Sequence, residues 1–194
     1  MKILVVGGGG RGHANIKKLK ETPAVTEIFA LPGNGGISAD ATCVPIGATD
    51  LDGIVQFVKE HPVDYAVVTP DDPLVLGCVD RLNEIGVPCF GPKQNAAVIE
   101  GSKAFAKDLM KKYHIPTARY ETFSDLQAAL DYVQAQPLPL VVKADGLALG
   151  KGVLICQTRE EAVNAVTDMM ANAKFGKSGS TVVIEEFLEG PEVS

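Results

Sequence analysis

Along the first hundred residues, short apolar runs alternate with longer amphipathic ones, and turns rich in glycine or proline separate them. KILVV (2–6) is aliphatic and β-branched and reads as a strand closed by the glycines of GGGGRG. HANIKKLKET (13–22) puts Ile16 and Leu19 on one face and predicts a helix. TEIFAL (26–31) predicts a second strand, with PGNGG as its turn. Asp50 stands before the periodic LDGIVQFVKEH (51–61), a helix with its N-cap. VDYAVV (63–68) gives a third strand ended by the turn TPDDP, LVLGCVDRLNEIG (74–86) a helix capped by Gly86, and VPCF (87–90) a short strand. Strands alternating with helices predict an α/β domain with a parallel sheet covered on both faces.

The pattern changes after residue 100. GSKAFAKDLMKKYHI (101–115) predicts a helix stopped by Pro116, ARYETF (118–123) a strand, and SDLQAALDYVQAQ (124–136) a helix with Ser124 as N-cap. Two strands, LVV (140–142) and VLIC (153–156), flank a glycine loop. TREEAVNAVTDMMANA (158–173) carries Thr158 and Glu161 at capping-box spacing, and TVVIEEFL (181–188) is a last strand. The order strand, helix, strand, strand, helix, strand predicts a small α+β lobe distinct from the first sheet. The expected boundaries are 1–100 for the first domain, 101–120 for a connecting helix and the start of the second, 121–190 for the small lobe and 191–194 for entry into a further lobe.

Charge narrows the partners. With 18 basic and 24 acidic residues the net charge is −6, which disfavours nonspecific binding to nucleic acid or an anionic membrane. Lys2 is followed by only a short apolar run, unlike a secretion signal, and no apolar run reaches membrane-spanning length. Cys43, Cys78, Cys89 and Cys156 are scattered without a CxxC pair and read as reduced thiols of a cytoplasmic protein. His13, His61 and His114 show no metal-ligand spacing, so no metal site is expected from them.

Candidate chemistry concentrates in LVVKADGLALGKGV (140–153). Lys143 ends the strand, and Gly146, Gly150 and Gly152 mark a loop whose backbone N–H groups can approach an anion closely because no Cβ intervenes. Lysines beside such a loop suit phosphate, and a hairpin with two solvated lysines is the plain alternative. It is not a Walker A loop: Gly146 and Gly150 are one residue too close, and FGKS (175–178) has Ala171 where the first glycine belongs. Gly7, Gly9 and Gly12 match GxGxxG, but Pro32-Gly33-Asn34 follows the second strand in place of the acidic residue that a dinucleotide ribose requires. A nicotinamide-dependent oxidoreductase is therefore a weak alternative, and a single phosphate at a helix N-terminus, met by Arg11, is the better reading. His13 either bonds locally at the helix start or touches the ligand. Asp71, after the third strand, either holds a sugar hydroxyl or amine or serves the turn; Asp72 is assigned to the turn. Alternation sends Glu185 and Glu186 to opposite faces, one toward water and one toward Lys143.

GGGGR-HA at the start, PGN (32–34), FGP (90–92), EGSKAFAK (100–107), IPTA (115–118), VVKADGLALGKGV and IEEFLEGPEVS together resemble the phosphoribosylamine–glycine ligase (glycinamide ribonucleotide synthetase) family of the ATP-grasp superfamily, over the whole chain. The resemblance implies a Rossmann-like N-terminal domain followed by the small lobe of an incomplete ATP-grasp domain. It implies ATP- and magnesium-dependent joining of glycine to 5-phosphoribosylamine through a glycyl phosphate, in purine synthesis. By the same resemblance Lys103 and Lys143 reach the ATP phosphates, the flap of Gly146, Gly150, Lys151 and Gly152 covers them, and Val153 is a further ATP-binding residue. Glu185 and the backbone of Glu186, Phe187 and Leu188 meet adenine, and Glu192 takes the ribose. Gly8, Gly9, Gly10, Arg11, His13, Pro32, Gly33, Asn34 and Asp71 hold phosphoribosylamine. Gly12 stands where the family has Glu, Asn15 replaces an aliphatic residue, and TPDDPL replaces Gly-Pro-Glu while keeping a carboxylate at Asp71. The family continues well past residue 194, and the magnesium ligands are expected there. The chain accordingly reads as a truncated, inactive part, a cytoplasmic monomer that handles small molecules and neither nucleic acid nor membrane. A nucleotide-binding module without catalysis is the other reading. An apolar patch along TVVIEEFL, where a further lobe would pack, is a last expectation.

Overall fold

The computed structural model describes residues 1–148, 152–172, 174–191 and 193. They form two compact units, Met1–Val98 and Ile99–Ser194.

In the first unit, β1 (Lys2–Gly7), α1 (Gly10–Lys20), β2 (Glu27–Pro32), β3 (Thr42–Cys43), α2 (Leu51–Glu60), β4 (Tyr65–Val68), α3 (Asp71–Val75), α4 (Cys78–Glu84) and β5 (Cys89–Phe90) follow in order. The five strands make a parallel sheet ordered β3-β2-β1-β4-β5. β1 shows how the two faces divide. Leu4 and Val6 pack with Ile54, Phe57 and Leu82 of α2 and α4, while Ile3 and Val5 pack with Ile16 of α1 and Ile37. All four β1 side chains are at most 2% exposed, which is why this strand lacks polar alternation.

Asp50 caps α2 as expected, its carboxylate accepting from Gly53 N–H at 3.0 Å. Gly86, at φ +85°, closes α4 in a Schellman motif in which Gly86 N–H reaches Asn83 and Val87 N–H reaches Leu82. Two expectations fail here. TPDDP is not a turn: α3 starts at Asp71, with Asp71 and Asp72 in its first turn, where the helix dipole favours carboxylates and Pro73 needs no hydrogen-bonded N–H. Residues 74–86 are not one helix, because Gly77 adopts φ +89° and separates α3 from α4.

α5 (Gln94–Gly101) was not predicted, since its apolar residues run consecutively at 96–99 without a helical period. α6 (Lys103–Lys112) is capped by Ser102, whose hydroxyl accepts from Phe105 N–H. It ends before Pro116 through His114, a non-glycine residue at φ 57° in a second Schellman motif. β6 (Tyr120–Phe123), α7 (Leu126–Ala135), β7 (Leu140–Ala144), β8 (Val153–Cys156), α8 (Arg159–Met170) and β9 (Val182–Glu186) complete the chain. The strands form an antiparallel sheet ordered β6-β9-β7-β8. Asp125, not Ser124, caps α7; the Ser124 hydroxyl bonds Thr181 instead. The Thr158–Glu161 capping box at α8 is present in full.

α7 and α8 cover one face of this sheet through Val142, Ala144, Val182 and Ile184. The apolar patch expected along TVVIEEFL is absent: Val182, Val183 and Ile184 are buried within the lobe, and only Leu188 of that segment is an exposed large apolar residue. The opposite face carries Lys143, Val183 and Glu185, together with Val153 and Ile155, which are exposed.

Candidate functional site

In the first unit the glycine loop between β1 and α1 meets the turn after β2. Asn34 Nδ2 donates to Gly8 O at 2.7 Å, and Asn34 Oδ1 accepts from Gly36 and Ile37 N–H at 2.8 and 2.9 Å. The close approach fixes the composition: a Cβ on Gly8 would stand 2.6 Å from Gly33 O. Gly33 itself, at φ +69° directly after Pro32, leaves room only for the Cys43 thiol. A Cβ on Gly9 or Gly10 would meet nothing within 4 Å, so packing does not require glycine at these two positions at the start of α1.

His13 does not bond locally at the helix start. Its Nε2 lies 2.9 Å from Asp40 Oδ2, and its ring rests against Gly36. Lys17 and Lys20 reach the same carboxylate at 3.1 and 2.9 Å, and these partners hold Asp40 far below the ordinary carboxylate range, Lys20 foremost. Nothing in the local sequence pattern singles out Asp40; only the tertiary fold brings it beneath α1. Arg11 pairs with Asp71 at 3.3 Å on the rim of a cavity of about 770 Å³. That cavity lies at the carboxyl ends of β4 and β5, with Thr69, Phe90 and Pro92 in its wall. The position matches the general rule for open parallel sheets.

In the second unit the lysines converge. Lys103, the first residue of α6, donates through Nζ to Asp145 O at 3.3 Å and Gly146 O at 3.1 Å. Asp145, at the end of β7, accepts from Ser102 Oγ and Ala104 N–H, so it locks the start of α6 to the glycine loop. Burial lowers the Lys103 ammonium pKa; Asp145 opposes that shift and the nearby Lys143 adds to it. Lys143 Nζ lies 2.8 Å from Glu185 Oε2. Glu185 Oε1 meets Lys107 Nζ at 3.3 Å, and both of those side chains are under 10% exposed. Glu186 points the other way and binds Arg119 through backbone N–H and Nε, which lowers its pKa. The loop glycines have packing reasons: a Cβ on Gly146 would stand 2.6 Å from Ser178 Oγ, and one on Gly152 2.7 Å from Ala148 Cβ. Val153 pairs with Lys143 across β7 and β8. Phe187 is half-buried in the wall of a cavity of about 750 Å³ that also includes Glu185, Tyr120 and Arg119, whereas Leu188 is exposed. Gly150, Lys151 and Glu192 lie outside the described residues.

Lys107 and Asp145 were given no role from the sequence. For Lys107 a signal existed: it follows Lys103 by four residues and so shares its helix face. Among the described residues no three His, Cys, Asp or Glu side chains converge as a metal site, and no helix is long and apolar enough to cross a membrane.

A parallel α/β unit with an anion-ready glycine loop, followed by an antiparallel lobe with lysines gathered at a second glycine loop, is the architecture of an ATP-grasp protein. Residues 101–194 match the ATP-grasp (A) domain of phosphoribosylglycinamide synthetase, and residues 1–100 match its N domain. The chain belongs to the phosphoribosylglycinamide synthetase family. It is 50% identical over 196 aligned residues to phosphoribosylamine–glycine ligase of Vibrio vulnificus, covering 100% of this chain and 46% of that one. The corresponding ligase of Halalkalibacterium halodurans is 48% identical over 194 residues, covering 100% and 45%. The crystal structure of phosphoribosylamine–glycine ligase from Thermotoga maritima matches with a TM-score of 0.80 at 32% identity, covering 98% of this chain and 45% of that one. The chain thus spans about half the length of the curated relatives it matches.

Proposed function

We propose that this chain supplies the phosphoribosylamine site and part of the ATP site of a ligase that joins glycine to 5-phosphoribosylamine. In this reading the glycine carboxylate takes the γ-phosphoryl group of ATP, and the sugar amine then displaces phosphate from the acyl carbon. The observation that carries it is geometric: Lys103 Nζ binds the carbonyls of Asp145 and Gly146 where the glycine loop begins, and Lys143 stands in β7, two residues before Asp145. Two lysines flanking one glycine loop supply the point charges that a polyphosphate requires. Such chemistry rests on positioning and charge neutralisation. Glu185 with the backbone of Glu186 to Leu188 borders adenine, and the exposed Val153 lies on the same sheet face, across β7. Gly8 to His13, Pro32 to Asn34 and Asp71 take the phosphoribosylamine end, the phosphate lying at the start of α1. Magnesium would supply charge neutralisation on the ATP phosphates; among the described residues no group of three His, Cys, Asp or Glu side chains could hold it. The thiols are all unpaired, which suits a reducing cytoplasm.

The assay is ADP release with glycine, magnesium and freshly generated phosphoribosylamine, on a chain extended to the relatives' full length and on these 194 residues alone. Ligation is expected from the extended chain and not from the 194 residues. Lys143→Ala in the extended chain should lower kcat/KM for ATP at least about tenfold, or roughly 1.4 kcal/mol. ADP release that ignores glycine and phosphoribosylamine, or that survives Lys143→Ala unchanged, would overturn the reading.

A further inference from the structure

Lys107 is a buried cation with no place in the chemistry above. Its Nζ has three protons and three acceptors: Thr117 Oγ1 at 2.7 Å, Ala118 O at 3.1 Å and Glu185 Oε1 at 3.3 Å, with the Tyr120 ring 5.1 Å away. Lys143 differs. It is more exposed than Lys107, side chain 26% against 7%, and among the described residues it pairs with the other oxygen of the same carboxylate. One buried glutamate is thus shared by a lysine buried among three acceptors and a more exposed lysine bound at 2.8 Å.

We propose that Lys107 is a positioning residue for Lys143: it is the permanent counterion of Glu185 that lets Lys143 leave the carboxylate for an anionic ligand. A buried carboxylate stripped of its only partner is strongly disfavoured, so without Lys107 the Glu185 side chain holds Lys143. With Lys107 present, Glu185 stays paired through Oε1 while Oε2 gives up Lys143 to a phosphate. The direction of that movement rests on the phosphate reading of Lys143; the division of labour between the lysines does not.

The test needs no nucleotide. Folded chain is acetylated with a limiting reagent at one fixed pH, and labelling of each lysine is read by mass spectrometry, with Lys111 and Lys174 as internal standards. In the unsubstituted protein Lys143 should label and Lys107 should not. Lys107→Met should lower Lys143 labelling at least about tenfold, and Lys107→Met with Glu185→Gln should restore it. A merely structural Lys107 predicts the reverse, since loosening the lobe raises labelling of Lys143 and the standards together. Should Lys107→Met not fold, Glu185→Gln alone decides: Lys143 labelling should rise while Lys107, still held by Thr117 and Ala118, stays protected. Equal exposure of both lysines in that variant, or unchanged Lys143 labelling in Lys107→Met, overturns the proposal. ATP added to the unsubstituted protein reads the phosphate assignment separately, through protection of Lys143.

Discussion

Two alanine substitutions in the first glycine loop should move stability in opposite directions. Gly12 is the third residue of α1, a helix whose first turn holds no acidic residue and whose N-cap Gly9 supplies no side-chain bond. A Cβ there would meet Thr69 Oγ1 at 3.6 Å and Gly7 backbone at 3.8 Å, ordinary contact distances. Gly12→Ala therefore removes a first-turn helix glycine at no steric cost, a gain of up to about 0.5–1 kcal/mol, the value for a helix interior. Gly8 has no such room. Its Cβ would stand 2.6 Å from Gly33 O, a backbone atom held by the Asn34–Gly8 bond, so Gly8→Ala should cost about 1–3 kcal/mol as an overpacked contact. For a unit of residues 1–98 a change of 1 kcal/mol moves the midpoint by about 4–8 °C. Urea and thermal unfolding by far-UV circular dichroism gives the two signs, and hydrogen exchange on peptides from 1–98 assigns them to this unit. A Gly12→Ala variant that melts lower than the parent, or a Gly8→Ala variant as stable as the parent, refutes the close-approach account of the loop.

Asp40→Asn should remove the common partner of His13, Lys17 and Lys20. Because the folded-state pKa of Asp40 lies below its ordinary 3.8, its contribution is present above that pH and is lost as pH falls further, so the stability gap between parent and variant should close in acid; a gap independent of pH would count against it. Asp145→Ala should destabilise residues 99–194 by about 1–2 kcal/mol, because it leaves Ser102 Oγ and Ala104 N–H without their acceptor, and an unchanged urea midpoint would exclude that role. His114→Gly should raise the midpoint modestly, by about 0.5–1 kcal/mol, since glycine takes the left-handed conformation at φ 57° without the Cβ clash; a lower midpoint would show that the imidazole stabilises the cap.

The alternation of strands and helices, the capping residues Asp50, Thr158 and Gly86, and the fold class were legible in the sequence, because each depends on local periodicity or on a hydrogen bond within a few residues. Strand alternation implied that one of Glu185 and Glu186 faces Lys143, and the tertiary structure shows that it is Glu185. The family itself was legible from motifs spread over the whole chain. The tertiary structure decided the rest. Pro73 suggested a turn, but the first turn of a helix leaves its N–H groups unbonded, so α3 begins at Asp71 through it. TVVIEEFL looked like a surface for another lobe, yet α8 packs against β9 through Val182 and Ile184 and α6 also contacts β9, so its apolar side chains are already covered within the lobe. Asp40 lies 27 residues from His13 and Lys107 78 residues from Glu185 (185 − 107), and no local pattern joins residues so far apart. A carboxylate and its lysine attract through space; the path that brings them together is fixed by how the hydrophobic faces of strands and helices are buried, and that is a property of the whole chain.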